Sequence, residues 1–135
     1  MIKKINHVAI VVPELADAQK FWVEALGLEL GGVEQVPAEG VEIAFLPVGD
    51  SEIELISPTE ADSGVARYLA KRGSGMHHIC LEVDDIEATL SRLKTAEIPL
   101  INEEPVINEN GTRYAFIHPK GANGVLVELY ELLPE

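Results

Sequence analysis

Apolar and β-branched residues dominate two stretches of the chain, residues 5–12 and 77–83. Runs of this length and composition are typical of β-strands. After each run, apolar side chains recur every three or four positions, which is the spacing of one helix face. The first predicted helix ends at Gly27 and buries Leu15, Ala18, Trp22, Ala25 and Leu26. The second begins at Asp84, with Glu87 three residues on as in a capping box. Its buried positions are Ile86, Leu90 and Leu93.

Shorter apolar runs, separated by glycine and proline, predict the remaining strands. They lie near residues 29–36, 41–48, 52–57, 99–101, 105–107, 112–118 and 125–131. The segment 60–75, with a short helix around 65–71, is predicted to connect the two halves. The pattern therefore predicts a single domain over residues 1–135. Its first module covers about residues 1–59, its linker residues 60–75 and its second module about residues 76–135.

The two halves also resemble each other in sequence. The run that starts at His7 matches the run that starts at His78, 71 positions later, and 43–45 matches 114–116 at the same offset. Residues 52–56 match 126–130 at an offset of 74. One short match is common by chance, but three in the same order indicate an internal repeat. Each half then contains a strand, a helix and further strands.

The net charge of the chain limits the classes of molecule that it is expected to bind. The 135-residue chain has 10 Lys and Arg against 23 Asp and Glu, a net charge of −13. Nucleic acid and anionic membranes are poor partners for such a chain, because both require concentrated positive charge. A small anion needs only a few local cations. The sequence also has no long apolar run, no predicted leader segment and a single cysteine, Cys80, so a cytoplasmic protein without a disulfide is expected.

The repeat places four polar residues at equivalent positions of the two halves. A histidine lies on the first strand of each half, and a glutamate lies on the last strand; these are His7, Glu54, His78 and Glu128. A single strand histidine or glutamate is usually structural, but here the same residue type recurs at the same place in both copies. If two-fold symmetry relates the halves, the four side chains can converge on one metal. Two imidazoles and two carboxylates suit Co²⁺, Mn²⁺, Ni²⁺, Fe²⁺ or Zn²⁺.

Two neighbours of His78 receive less support from this pattern. Side chains alternate along a strand, so His77 points to the face opposite His78. A structural position or one at the edge of the substrate is expected for it. Cys80 shares the face of His78 but stands alone, and we expect it to be a small core residue.

Several longer motifs resemble one known group. They are residues 6–10, 40–45, 53–58, 75–80, 118–120 and 124–129. On these motifs the chain resembles the vicinal oxygen chelate, or glyoxalase, superfamily and, within it, the methylmalonyl-CoA epimerases. The resemblance implies an α+β fold of paired βαβββ modules whose curled mixed sheets enclose a metal site.

The resemblance also implies a reaction and its residues. Methylmalonyl-CoA would be the substrate, and its 2R and 2S forms would interconvert by proton removal and return at C2 through a metal-stabilised enolate. The implied metal ligands are the four residues of the set, although some relatives carry glutamine at the position of Glu54. Co²⁺ is the first expectation, with Mn²⁺, Ni²⁺, Zn²⁺ and Mg²⁺ as alternatives. A homodimer is implied as well.

The implied bases are Glu42, which matches the epimerases' catalytic glutamate, and Glu128, which would be both ligand and proton carrier. The repeat places Arg113 at the equivalent of Glu42, so the symmetry breaks at that position. His77, Arg113 and Lys120 are weaker candidates for contacts with the substrate.

Three alternatives of the same fold remain open. A glyoxalase I-type lyase uses the same kind of ligand set and would form lactoylglutathione. An extradiol dioxygenase needs two histidines and one carboxylate around iron, which would leave Glu54 in a position that oxygen or catechol requires. A metal-free ligand-sequestering protein would bind its ligand fully without metal.

Overall fold

The computed structural model describes residues Met1–Leu133, so the last two residues of the predicted second module lie outside the described part. Its strands are β1 Ile2–Val11, β2 Gly32–Val36, β3 Val41–Val48, β4 Ser51–Pro58, β5 Gly75–Val83, β6 Val106–Ile107, β7 Arg113–Ile117 and β8 Val127–Glu131. Its α-helices are α1 Leu15–Gln19, α2 Gly64–Arg72 and α3 Ile86–Thr95, and a π-helix, Lys20–Ala25, directly continues α1. Short 3₁₀ turns occupy Pro37–Glu39 and Pro119–Gly121. No helix in this part of the chain is long and apolar enough to cross a membrane.

The chain forms two compact units. The first unit is His7–His77, and the second is Met1–Asn6 together with the chain from His78 onward. This division differs from the predicted modules at the N-terminus, because the first six residues pack with the second half of the chain. The predicted linker is part of the first unit, where its helix α2 begins at a serine cap: the Ser63 hydroxyl accepts a hydrogen bond from the Ala66 amide at 3.1 Å.

The first unit has the βαβββ order that the sequence predicts. Its strands lie in the order β2-β3-β4-β1, with β1 parallel to β4 and the other neighbours antiparallel. Strands β3 and β4 are joined by a two-residue loop, Gly49-Asp50, whose glycine has a φ of 58°. Glycine adopts this left-handed conformation without steric cost, which suits a tight hairpin. The loop pairs Val48 with Ser51 and so fixes which side chains of the hairpin share a face.

One face of this sheet is covered by the first helix. Val12, Leu15, Ala44, Leu46 and Leu55 form its buried cluster. Ala18, Trp22, Val23 and Leu28 pack against it. The prediction that Ala25 and Leu26 belong to the buried face is wrong, since Ala25 is exposed and Leu26 is 53% exposed. The π-helix explains the difference: the Leu26 amide donates to the Phe21 carbonyl five residues back, and the wider turn rotates Leu26 away from the sheet.

The second unit repeats the same topology. Its strands lie in the order β5-β8-β7-β6, with β5 parallel to β8. The predicted strand near residues 99–101 is reduced to one bridge between Leu100 and Ile117. Helix α3 covers one face, and the predicted positions Ile86, Leu90 and Leu93 all pack in its core. The helix cap is Asp85 rather than Asp84, because the Asp85 carboxylate accepts the Ala88 amide hydrogen bond at 3.0 Å.

The N-terminal residues are tied to the second unit by polar contacts. The N-terminal ammonium lies 2.7 Å from the Asp84 carboxylate, and its hydrogen bond holds the pKa of that carboxyl below its usual range. The carboxylate of Glu82, a residue that is 6% exposed, accepts a hydrogen bond from Asn6 Nδ2 at 3.1 Å and lies 3.4 Å from Lys3 Nζ. A buried carboxylate requires such partners, so these contacts attach the first six residues, which are themselves mostly exposed, to the second unit.

Candidate functional site

The first unit contains a buried histidine–glutamate pair. His7 lies on β1 and Glu54 on the neighbouring parallel strand β4, where the register sets Glu54 opposite Ala9. His7 Nδ1 is 3.2 Å from Glu54 Oε2, and the two side chains are only 2% and 12% exposed. On the same face, Ala9, Val41 and Ile56 form a small apolar cluster. The pair therefore lies on the face opposite the first helix.

The second unit contains a pair of the same kind. His78 lies on β5 and Glu128 on the parallel strand β8, where Glu128 is opposite Cys80. His78 Nε2 is 3.1 Å from Glu128 Oε1, and the side chains are 9% and 7% exposed. Cys80, on the same face, is fully buried.

The pairs occupy equivalent places in the two units. Each histidine is on the first strand of its unit, and each glutamate is on the last strand. A phenylalanine of the preceding strand lies opposite each glutamate in the register, Phe45 beside Glu54 and Phe116 beside Glu128. The Phe116 ring also meets the His78 ring edge to face, with centroids 5.6 Å apart. The repeat aligns these phenylalanines, so the sequence contained a signal for them that we did not use.

Each pair offers two ligands of the types that a divalent metal binds. An imidazole nitrogen and a carboxylate oxygen, both buried, are the ligand types that Co²⁺, Mn²⁺, Ni²⁺ and Zn²⁺ accept. Burying a carboxylate is costly without a compensating charge or donor. A cation held by the pair would supply that compensation.

Glu42 is placed differently from what its predicted role requires. It pairs with Ser57 in the β3–β4 register, on the face of Ala44 and Leu46, which is the face that the first helix covers. Its carboxylate accepts a hydrogen bond from Gln35 Nε2 at 2.5 Å. Glu54 pairs with Phe45 and points to the other face. The structure thus does not bring Glu42 to the face of the His7–Glu54 pair.

Arg113, the repeat equivalent of Glu42, is likewise on the helix-covered face of its own unit. Its guanidinium lies 3.3 Å from the Glu87 carboxylate and 3.1 Å from that of Glu131. Partial burial disfavours its charge, but the two carboxylates outweigh this and raise the pKa of Arg113 above its ordinary value. Glu131 also accepts the Ile86 amide hydrogen bond at 2.9 Å. Arg113 therefore links α3 to the sheet through ion pairs. It lies on the face opposite His78 and Glu128.

The two other predicted substrate contacts lie on separate features. The His77 ring packs against the Tyr68 ring of α2, with centroids 4.9 Å apart, and points away from the face of His78 as predicted. Lys120 is exposed on the 3₁₀ turn Pro119–Gly121, and its amide donates to His118 Nδ1 at 3.0 Å. These contacts do not show whether His77 or Lys120 binds the substrate.

Comparisons with known proteins agree with this fold. Residues 6–116 match the model of the Glyoxalase/Bleomycin resistance protein/Dioxygenase superfamily. The chain belongs to this superfamily, which confirms the expected fold class. Within the superfamily it resembles the methylmalonyl-CoA epimerases, as the sequence motifs suggested.

Three relatives show the extent of this likeness. An ethylmalonyl-CoA/methylmalonyl-CoA epimerase of Cereibacter sphaeroides is 41% identical, over 98% of this chain and 100% of the relative. The crystal structure of a hypothetical protein from Bacillus halodurans is 41% identical, with a TM-score of 0.91, over 98% of this chain and 96% of that one. A methylmalonyl-CoA epimerase in complex with methylmalonyl-CoA and NH₄⁺ is 31% identical, with a TM-score of 0.84, over 97% and 95%.

Proposed function

We propose that this chain is an epimerase that interconverts the 2R and 2S forms of methylmalonyl-CoA. The observation that carries the proposal is the recurrence of one buried histidine–glutamate pair at equivalent positions of both βαβββ units. The 41% identity to an ethylmalonyl-CoA/methylmalonyl-CoA epimerase over nearly the whole chain supports the choice of substrate.

The proposal includes one divalent metal with four protein ligands, His7, Glu54, His78 and Glu128. Its support is the ligand chemistry and burial of each pair, together with membership of the superfamily. When bound, the metal would supply positive charge beside the thioester carbonyl oxygen and the free carboxylate of the substrate, which stabilises the charge that develops when C2 loses its proton. Co²⁺ is the metal we propose first.

Epimerisation needs two proton carriers, one for each side of C2. Glu128 keeps its predicted role: a carboxylate oxygen takes the C2 proton from one side, or returns one in the reverse direction. For the other side we propose Glu54, because in its unit it occupies the position that Glu128 occupies in the other. Glu42 is left out of the proposed mechanism, since it lies on the helix-covered face. Protons reach the product from the second carboxylate, and exchange with water restores both groups.

Isotope exchange tests this function directly. We expect Co²⁺-loaded protein, incubated with one isomer of methylmalonyl-CoA in D₂O, to replace the C2 proton with deuterium while the second isomer accumulates, as followed by NMR. No exchange with either Co²⁺ or Mn²⁺ would refute the epimerase. Exchange that continues unchanged after a chelator has removed the metal would refute the metal. Formation of lactoylglutathione from the methylglyoxal–glutathione adduct, without exchange on methylmalonyl-CoA, would favour the glyoxalase I-type lyase.

Two further parts of the proposal concern the protein's state. We propose that it acts as a homodimer, which light scattering on the purified protein tests. We propose a cytoplasmic location, which agrees with a sequence that has one cysteine, Cys80, and therefore no internal disulfide. Localisation of the tagged protein in its own cells by microscopy tests this second part.

A further inference from the structure

Helix α2 carries an unusual concentration of positive charge for this chain. Within its nine residues, Gly64–Arg72, it has three cations, Arg67, Lys71 and Arg72, and no acidic residue. At 3.6 residues per turn, these three side chains fall within less than half of the helix circumference. The whole chain has a net charge of −13, so this exposed surface, which we call the α2 basic surface, stands out against its surroundings.

Most other cations of the chain are already paired with carboxylates. Lys3 pairs with Glu82, Lys20 with Asp17, Lys94 with Glu104, and Arg113 with both Glu87 and Glu131. Within residues 1–133, by contrast, no carboxylate forms an ion pair with the three cations of α2. Arg67 instead donates a hydrogen bond to the backbone carbonyl of Asp62. The positive charge of the α2 basic surface is therefore not neutralised by a neighbouring side chain.

Aromatic contacts hold part of this surface in place. The Arg72 guanidinium lies over the Tyr68 ring, 5.6 Å from its centroid, and the other neighbour of that ring is His77. The Tyr68 hydroxyl donates to the Met76 carbonyl at 3.0 Å, which ties α2 to the start of β5. A cation held over an aromatic ring loses less side-chain freedom when it binds an anion. His77, at the end of this contact chain, directly precedes the proposed metal ligand His78 in the sequence.

We infer that the α2 basic surface binds the phosphate groups of the nucleotide end of the acyl-thioester substrate. This inference rests on the proposed function, since it concerns the coenzyme A part of the same substrate. Phosphates bear several negative charges and take arginine and lysine as their ordinary protein partners. The negative charge of the rest of the protein repels such an anion elsewhere, so the α2 basic surface also sets where the carrier lies.

A pair of variants with equal charge separates this binding from a general charge effect. R67Q/K71Q/R72Q removes the three cations of α2. K20Q/R92Q/K94Q removes three exposed cations from other helices, and both variants have a net charge three units more negative. We expect the α2 variant to raise KM for methylmalonyl-CoA about tenfold with little change in kcat, since each exposed contact is modest and three are lost. The control variant should stay within about twofold, and the difference should shrink at high salt.

A truncated substrate sharpens the test. Methylmalonyl-pantetheine has the thioester but no phosphate, so its KM should be the same for the α2 variant and the control. Equal KM values of the two variants for methylmalonyl-CoA would overturn the inference. Circular dichroism and the midpoint of thermal unfolding check that α2 still folds, and the single variant R72Q replaces the triple variant if it does not.

Direct binding distinguishes failure of the inference from failure of the proposed function. Calorimetry with adenosine 3′,5′-bisphosphate measures the phosphate contact without any reaction. Weaker binding by the α2 variant than by the control supports the inference even if neither thioester is epimerised. Equal binding, with normal epimerisation of both thioesters, refutes the inference and leaves the proposed function intact.

Discussion

The two units have the same strand order and the same histidine–glutamate pair, yet they differ on the faces that their helices cover. At equivalent positions of these faces, the first unit has Glu42, hydrogen-bonded to Gln35, and the second has Arg113, paired with two carboxylates. The first unit's helix turns into a π-helix, whereas α3 is regular. The repeat is thus retained where the pairs lie and has diverged where each helix packs. The structure thus brings each histidine of the repeat to its glutamate and leaves Glu42 on the opposite face of its sheet.

The largest expected effect comes from the glutamates of the pairs. Glu128→Gln and Glu54→Gln should each lower kcat for deuterium exchange by about 10²–10⁴-fold, because an amide cannot accept the C2 proton. Metal analysis serves as the control, since the amide oxygen can still act as a ligand. Wild-type exchange by Glu54→Gln with its metal retained would show that the two units are not equivalent in proton transfer.

A second prediction compares the two helices through their leucines. Leu90→Ala should lower the free energy of unfolding by roughly 2–5 kcal/mol, because Leu90 is 1% exposed and leaves a cavity. Leu26→Ala should change it by less than about 0.5 kcal/mol, because the π-helix turns Leu26 outward. Denaturant titration measures both. Equal losses would mean that the first helix packs as a regular α-helix in solution.

The ion pairs of Arg113 predict a smaller effect. Arg113→Gln should lower the midpoint of thermal unfolding by about 2–4 °C, since α3 loses its link to the sheet. The kcat of the variant should equal that of the wild type. A raised KM with unchanged stability would instead indicate that Arg113 contacts the substrate, as the sequence analysis predicts.

The smallest expected effect is that of Glu42→Gln. It should leave kcat within about twofold of the wild type and change the free energy of unfolding by less than about 0.5 kcal/mol. The same exchange assay and denaturant titration apply, with Glu54→Gln as the positive control. A large loss of kcat in Glu42→Gln alone would restore Glu42 as the first base.

The sequence alone predicts the repeated topology and the pairing of each histidine with a glutamate. The repeat relates the two halves, and the alternation of side chains along a strand shows which residues share a face. The sequence also indicates the face on which Glu42 lies, through the turn between β3 and β4. A two-residue loop at Gly49-Asp50 pairs 48 with 51 and therefore Glu42 with Ser57, on the face opposite Glu54.

Other differences were beyond the sequence pattern. The π-helix adds a wider turn that a 3.6-residue period does not reveal, and this turn exposes Leu26. Asp84 and Asp85 are adjacent and chemically alike, and only backbone geometry decides which one caps α3. The association of residues 1–6 with the second unit depends on contacts between distant parts of the chain, such as those of Asn6 with Glu82.

This last contact bears on how such a two-unit chain could be rebuilt from a single ancestral module. A half-length polypeptide that starts at residue 76 would keep Glu82 but would lose Lys3 and Asn6, the two donors that accompany its carboxylate. An engineered one-module precursor would need other donors for this carboxylate, or an apolar residue in place of Glu82. The present halves are thus copies in topology, but they are no longer interchangeable parts.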